Sequence, residues 1–188
     1  MRLNRLAAVA FVALALGVPA SAERLPFESF RRGQSEFAIN LAYGANHRIP
    51  AATRDRVAFD MVRFRAGWFS SPRTEAAAEL ALERQSSDNG NHGISAAIGL
   101  RRYLSVRGNT AIACDFSVGA MRFEKRLISQ STRINFTEQI GIALQYGIGT
   151  KSALTLEYTF SHNSNAGLKL PNLGINASII SLGYSWYP

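Results

Sequence analysis

Cysteine is nearly absent from this chain. Cys114 stands alone among 188 residues, so no internal disulfide can form and the chain is not a stapled secreted scaffold. Histidine is almost as scarce. His47, His92 and His162 fall in separate segments with no spacing of metal ligands, so neither a metal nor any other cofactor is expected. Long apolar runs are missing too. The longest, Leu6 to Leu16, falls short of the ~18 to 20 residues that a membrane-spanning helix needs. Acidic residues are outnumbered, 13 Asp and Glu against 21 Lys and Arg.

The first residues read as an export signal. Arg2 and Arg5 precede the apolar run, and Ala20-Ser21-Ala22 closes it, so residues 1–22 are expected to be removed and 23–188 to form one domain. Without Arg2 and Arg5 the mature chain keeps 19 Lys and Arg against 13 acids, a net charge of +6. An exported basic protein suits an anionic surface such as lipopolysaccharide phosphates, and export removes nucleic acid as a partner.

Beyond the signal, the apolar period is 2 almost throughout. Phe37, Ile39, Leu41 and Tyr43 form one stripe, and Val62, Phe64, Ala66 and Trp68 a second. Glu75 to Gln85 is weaker, because its alanines and glutamates also suit a helix, and only its neighbours argue for a strand. Ile94 to Leu100, Ile112 to Val118, Phe136 to Tyr146, Leu154 to Phe160 and Ile180 to Trp186 continue the pattern. Eight short strands with one apolar face predict an antiparallel barrel or sandwich.

Connection lengths favour the barrel. Long connections around 46–56, 86–92, 122–133 and 163–175 alternate with short ones near 71–74, 105–109 and 147–152. That alternation is expected of hairpins crossing the outer membrane. Tyr43, Trp68, Tyr103, Tyr146, Tyr184 and Trp186 sit toward strand ends, as interfacial girdles require. The opposite faces carry Gly, Ala, Ser, Thr, Gln and Arg, which suits the filled interior of a small barrel. The expected fold is therefore an all-β, eight-stranded antiparallel transmembrane barrel of the outer membrane. A soluble sandwich would reverse the faces.

The chemistry concentrates in His162-Asn163-Ser164-Asn165-Ala166-Gly167, at the exit of the seventh strand. Residues two apart on a strand share a face, so His162 and Ser164 offer a general base and a hydroxyl nucleophile together. An amide side chain and a glycine follow, as an oxyanion site would need. Elsewhere, His47 and His92 look isolated, Cys114 reads as a small hydrophobe, and Gly147-Ile148-Gly149 as a hairpin turn.

This block, with Pro171-Asn172, Gly174-Ile175 and a final aromatic strand, resembles the PagL family of outer-membrane lipid A 3-O-deacylases. The resemblance implies an eight-stranded barrel that hydrolyses the ester holding a 3-hydroxyacyl chain at the 3 position of lipid A. It implies His162 as general base, Ser164 as nucleophile, and Asn165 and Gly167 as oxyanion donors, within a motif loop of residues 162–176. It leaves a homodimer among the allowed assemblies. One element departs from the family. The orienting glutamate expected twelve residues after the serine is replaced by Asn176, which can accept a hydrogen bond from an imidazole but brings no charge.

Parity points to a second acid. If Tyr146 pairs with Leu154, the same register sets Glu138 opposite His162, on the lipid-facing stripe. A carboxylate there is costly unless it lies near the interface or has a partner. Glu138 is thus a candidate replacement acid, whereas the parity of Glu157 sends it inside. Arg122, Lys125, Arg126, Arg133 and Lys169 are candidates to meet substrate phosphates. The competing expectation is a noncatalytic structural or adhesive barrel that keeps the motif after losing the glutamate.

Overall fold

The computed structural model describes residues 27–47, 56–85, 90–127 and 130–188. The expected signal peptide and its cleavage after Ala22 lie outside these residues. Eight strands close into one antiparallel barrel in sequence order. They are β1 (Ser35–Asn46), β2 (Ala58–Ser71), β3 (Thr74–Gln85), β4 (Asn91–Arg107), β5 (Thr110–Phe123), β6 (Ile134–Gly149), β7 (Ser152–Ser164) and β8 (Ile175–Trp186). The β1–β8 ladder, from Phe37↔Trp186 to Asn46↔Ala177, leaves no free edge. Closure satisfies every strand's hydrogen-bonding groups, as crossing hydrocarbon demands.

The apolar stripes face outward. Ile98 is 68 % exposed, Leu41 63 % and Ile180 57 %, whereas Ala113, Ala143, Ala153 and Ala177 are fully buried inside. That arrangement excludes the soluble sandwich, which would hide the same stripes. The alanine- and glutamate-rich third segment is strand throughout, its alternate residues Ala77 and Ala81 filling the narrow interior. Tertiary pairing on both sides overrides its helical propensity.

The interior is more acidic than expected. Glu36, Glu75, Glu79, Asp115 and Glu157 interleave with Arg63, Arg65 and Arg101. Arg101 places Nε 2.8 Å from Asp115 and Nη2 3.2 Å from Glu157. Buried guanidinium groups need such partners, and the small inward residues leave room for them. Glu157 lies inside, as its parity required.

The short-turn end is sealed. Phe27 and Phe30 fold in from the N-terminal segment and stack among Phe69, Tyr103 and Tyr187, with ring centroids 4.6 to 6.5 Å apart. Tyr103 therefore corrects the girdle expectation. The outward stripe of β4 is even-numbered, so an odd residue points into the barrel, where Tyr103 is 1 % exposed. The other five girdle aromatics are at least partly exposed outside. The long connections all leave from the opposite end, and that end carries the candidate site.

Candidate active site

The loop ends of four neighbouring strands bring a row of polar residues onto the otherwise apolar outer wall. Glu138 of β6 pairs with His162 of β7, and His162 pairs with Asn176 of β8. His47, just past β1, extends the row by donating its backbone N–H to the Asn176 carbonyl at 2.7 Å. Ser164 lies one two-residue step beyond His162 toward the loop, opposite Phe136. The ladder pairs Tyr146 with Leu154 and Ile140 with Phe160, the register that parity implied.

His162 Nδ1 is 2.6 Å from Asn176 Oδ1. An oxygen acceptor at that distance places the ring proton on Nδ1 and leaves the Nε2 lone pair free to act as a base. The imidazole sits against Gly174, which adopts φ +62°; a Cβ there would lie 2.9 Å from His162 Cε1. Glycine is required twice, for the left-handed backbone and for the approach of the ring. If His162 is the general base, Gly174→Ala is expected to displace the imidazole and lower turnover by about 10- to 100-fold, because misplacing a catalytic group by about 1 Å costs that much. Measuring kcat against heat-modifiable folding on a gel would separate this from unfolding.

The loop after Ser164 turns sharply. Ala166 at φ 52° and Gly167 at φ 76° both occupy the left-handed region. Such strain at a non-glycine residue costs on the order of 1 kcal/mol and persists only where the surroundings impose it. Asn165, fully buried, imposes it here. Its Nδ2 donates to Lys169 O at 2.7 Å and Ser131 Oγ at 3.3 Å, and its Oδ1 accepts from Gly167 N at 3.0 Å. Its own N–H goes to Asn172 Oδ1 at 3.0 Å. The donors of Asn165 and Gly167 are thus engaged in building the loop and do not face Ser164. The amide directed at Ser164 is that of Ala166, 3.4 Å from Oγ.

Sequence reasoning missed a second polar group on this wall. Ser178 Oγ lies 2.6 Å from His47 Nε2 and 2.6 Å from Tyr158 Oη. The His47 ring stacks near Phe160, with centroids 6.2 Å apart and planes within 14°. His47 and Ser178 are 131 residues apart in sequence, so only barrel closure makes them neighbours. Together these residues make a continuous polar patch where lipid is expected, and polar groups at that depth ordinarily mark function.

A family model described as lipid A 3-O-deacylase (PagL) matches residues 56–185, which cover β2 to β7, β8 as far as Ser185, and every site residue except His47. The chain belongs to the PagL family. Its fold is similar to that of the outer membrane enzyme PagL, at a TM-score of 0.55 and 18 % identity over 78 % of this chain and 98 % of that one. It is similar also to Neisserial surface protein A, at 0.65 and 9 % over 81 % and 96 %. The N-terminal barrel domain of Pseudomonas aeruginosa OprF gives 0.55 and 12 % over 84 % and 100 %. These likenesses establish an outer-membrane type of barrel, and the PagL family model adds the ester-hydrolase class. Comparison with curated sequences gives no match.

Proposed function

We propose that this PagL-family barrel hydrolyses the ester joining a 3-hydroxyacyl chain to the 3 position of lipid A, through Ser164 and His162. The observation that supports this reading best is the 2.6 Å bond between His162 Nδ1 and Asn176 Oδ1, on the outer wall beside Ser164. It holds the imidazole in the tautomer that a general base requires. Ser164 Oγ attacks the ester carbonyl while His162 Nε2 takes its proton. The same proton then passes to the departing sugar 3-hydroxyl, leaving an acyl-serine. Water, activated by His162, releases the fatty acid and restores the serine. In this mechanism the Ala166 N–H, 3.4 Å from Ser164 Oγ, is the donor to the oxyanion, and Asn165 acts by holding the loop that carries it.

Placement on the outer wall has a physical consequence. The scissile ester of lipid A lies just below its phosphorylated sugars, at the outer-leaflet interface. Substrate therefore arrives by lateral diffusion, with its acyl chains still in lipid. The membrane excludes bulk water and strengthens the electrostatic terms.

Asn176 brings no charge to the imidazolium formed in the transition state, and Glu138, on the opposite side of His162, is the nearest acid on the wall by register. In this reading Glu138 supplies part of the missing negative charge. Glu138→Gln is expected to lower kcat about tenfold, equivalent to about 1.4 kcal/mol, without changing the folded fraction. Unchanged turnover would reduce Glu138 to a rim carboxylate. The replacement of the family glutamate by Asn176 favours a second reading, a noncatalytic barrel. Mass spectrometry of lipid A incubated with refolded protein decides between the two: release of one 3-hydroxyacyl group supports the hydrolase, and intact lipid A with a folded barrel supports the alternative.

A further inference from the structure

Two strands from Ser164, at the same loop end of the barrel, an open cleft of about 490 Å³ is lined by His92, Ile94, Arg122, Phe123, Glu124 and Arg133, with Gly93 in its floor. We propose that this cleft binds a phosphate group of the glycolipid whose ester Ser164 attacks. The identity of that glycolipid rests on the esterase reading above.

Three observations carry the proposal. The first is depth. Arg122 continues the outward stripe of β5 that runs through Ile112, Phe116 and Val118, and it pairs with Ile94 of β4 and Ile134 of β6, both about half exposed. An arginine on a lipid-facing stripe is tolerated at little cost only near the interface, which is the plane of lipid phosphates. The second is charge. Arg63, Arg65 and Arg101 inside the barrel are each paired with two or more acids, whereas Arg122 and Arg133 take part in none of the ion pairs among the described residues. Arg133 spends one donor on the Glu124 carbonyl, at 3.3 Å, which anchors its guanidinium at the rim with other N–H groups still available. The Glu124 carboxylate is the single acid of the lining, set against two guanidinium groups and an imidazole.

The third observation is reach. Ser164 pairs with Phe136, and Arg122 pairs with Ile134 one step closer to the loops. By strand spacing and rise, the Ser164 and Arg122 backbones are about 12 Å apart. A phosphorylated amino sugar with its ester at Ser164 spans such a gap along the interface. Arginine suits the task because its planar donors match phosphate oxygens in pairs. The cleft floor is close-packed, since a Cβ at Gly93 would lie 2.7 Å from Phe123 Cδ1.

The test compares phosphorylated lipid A with the same lipid after phosphatase treatment, using the native chain and the double variant Arg122→Ala/Arg133→Ala, both in detergent with folding checked on a gel. The double variant is expected to raise KM about tenfold for phosphorylated lipid A and to leave kcat within about twofold, with no change for the dephosphorylated lipid. Equal effects on the two lipids, or none on either, overturn the proposal. Binding of both lipids to Ser164→Ala protein forms a separate arm. Tighter, arginine-dependent binding of the phosphorylated lipid supports the cleft even if the native chain hydrolyses nothing, an outcome that sinks the esterase reading alone. Equal binding of the two lipids overturns the cleft.

Discussion

Ser164→Ala is expected to reduce release of the 3-hydroxyacyl chain by about 10³-fold or more while leaving the barrel folded. Ser164 is half-buried at the end of β7, and the only hydrogen bond of its hydroxyl found among the described residues is the long contact from Ala166 N. Removing the hydroxyl therefore breaks little of the structure, and stability should change by less than about 1 kcal/mol. Hydrolysis by the proposed mechanism, by contrast, loses the atom that forms the covalent intermediate. Members of a nucleophile–base pair act as a unit, so deleting either removes most of the rate. His162→Ala should match it, and the double variant should be scarcely worse than either alone. Additive losses would mean that the two residues do not serve one step. Residual turnover near native levels in Ser164→Ala would move the nucleophile elsewhere.

Asn176→Asp is expected to raise kcat, by up to about 10²-fold. The two side chains have the same shape, so the carboxylate would keep the 2.6 Å contact with His162 Nδ1 that Asn176 makes. What changes is charge. In a serine–histidine–aspartate site, the opposite exchange of carboxylate for amide costs about 10⁴ in kcat, which bounds the gain available here. The gain should be smaller, because the amide oxygen already accepts the Nδ1 proton and because, in the reading proposed above, Glu138 supplies part of the charge from the other side. Combining Asn176→Asp with Glu138→Gln tests the division of labour. If both acids serve the same imidazolium, the loss from Glu138→Gln shrinks in the Asn176→Asp background, whereas independent effects would multiply. No gain in kcat would show that His162 is not the limiting base.

Much of the barrel was legible in the residues because a strand's side chains alternate with a period of 2, and lipid on one side enforces it. Phe136 to Tyr146 and Leu154 to Phe160 share a face and a short turn, which puts Glu138 opposite or diagonal to His162, and the ladder sets the two directly opposite. Tyr103 was misplaced for the same reason in reverse. Its position at a strand end suggested a girdle, but parity sends it inward, and the inward partners Phe27 and Phe30 come from a segment with no alternation to read. The loop after Ser164 was legible only in part. Asn165, Ala166 and Gly167 announce a turn, yet which of their amides remains available depends on Lys169, Asn172 and Ser131, reached through a loop of irregular backbone.

By itself, the sequence determined eight strands with one apolar stripe on each, and a histidine and serine sharing one face; the outward direction of the stripes came from the closed barrel. Those properties follow from local rules, since apolar length and side-chain alternation need no knowledge of distant neighbours. Tertiary structure decided which residues meet across the closed seam. His47 reaches Ser178 because β1 joins β8, Asn176 reaches His162 because β8 folds back on β7, and Arg122 and Arg133 share a cleft because their connection returns to the same rim. Such contacts arise from ladder register and loop path, which depend on the whole barrel and not on any one segment.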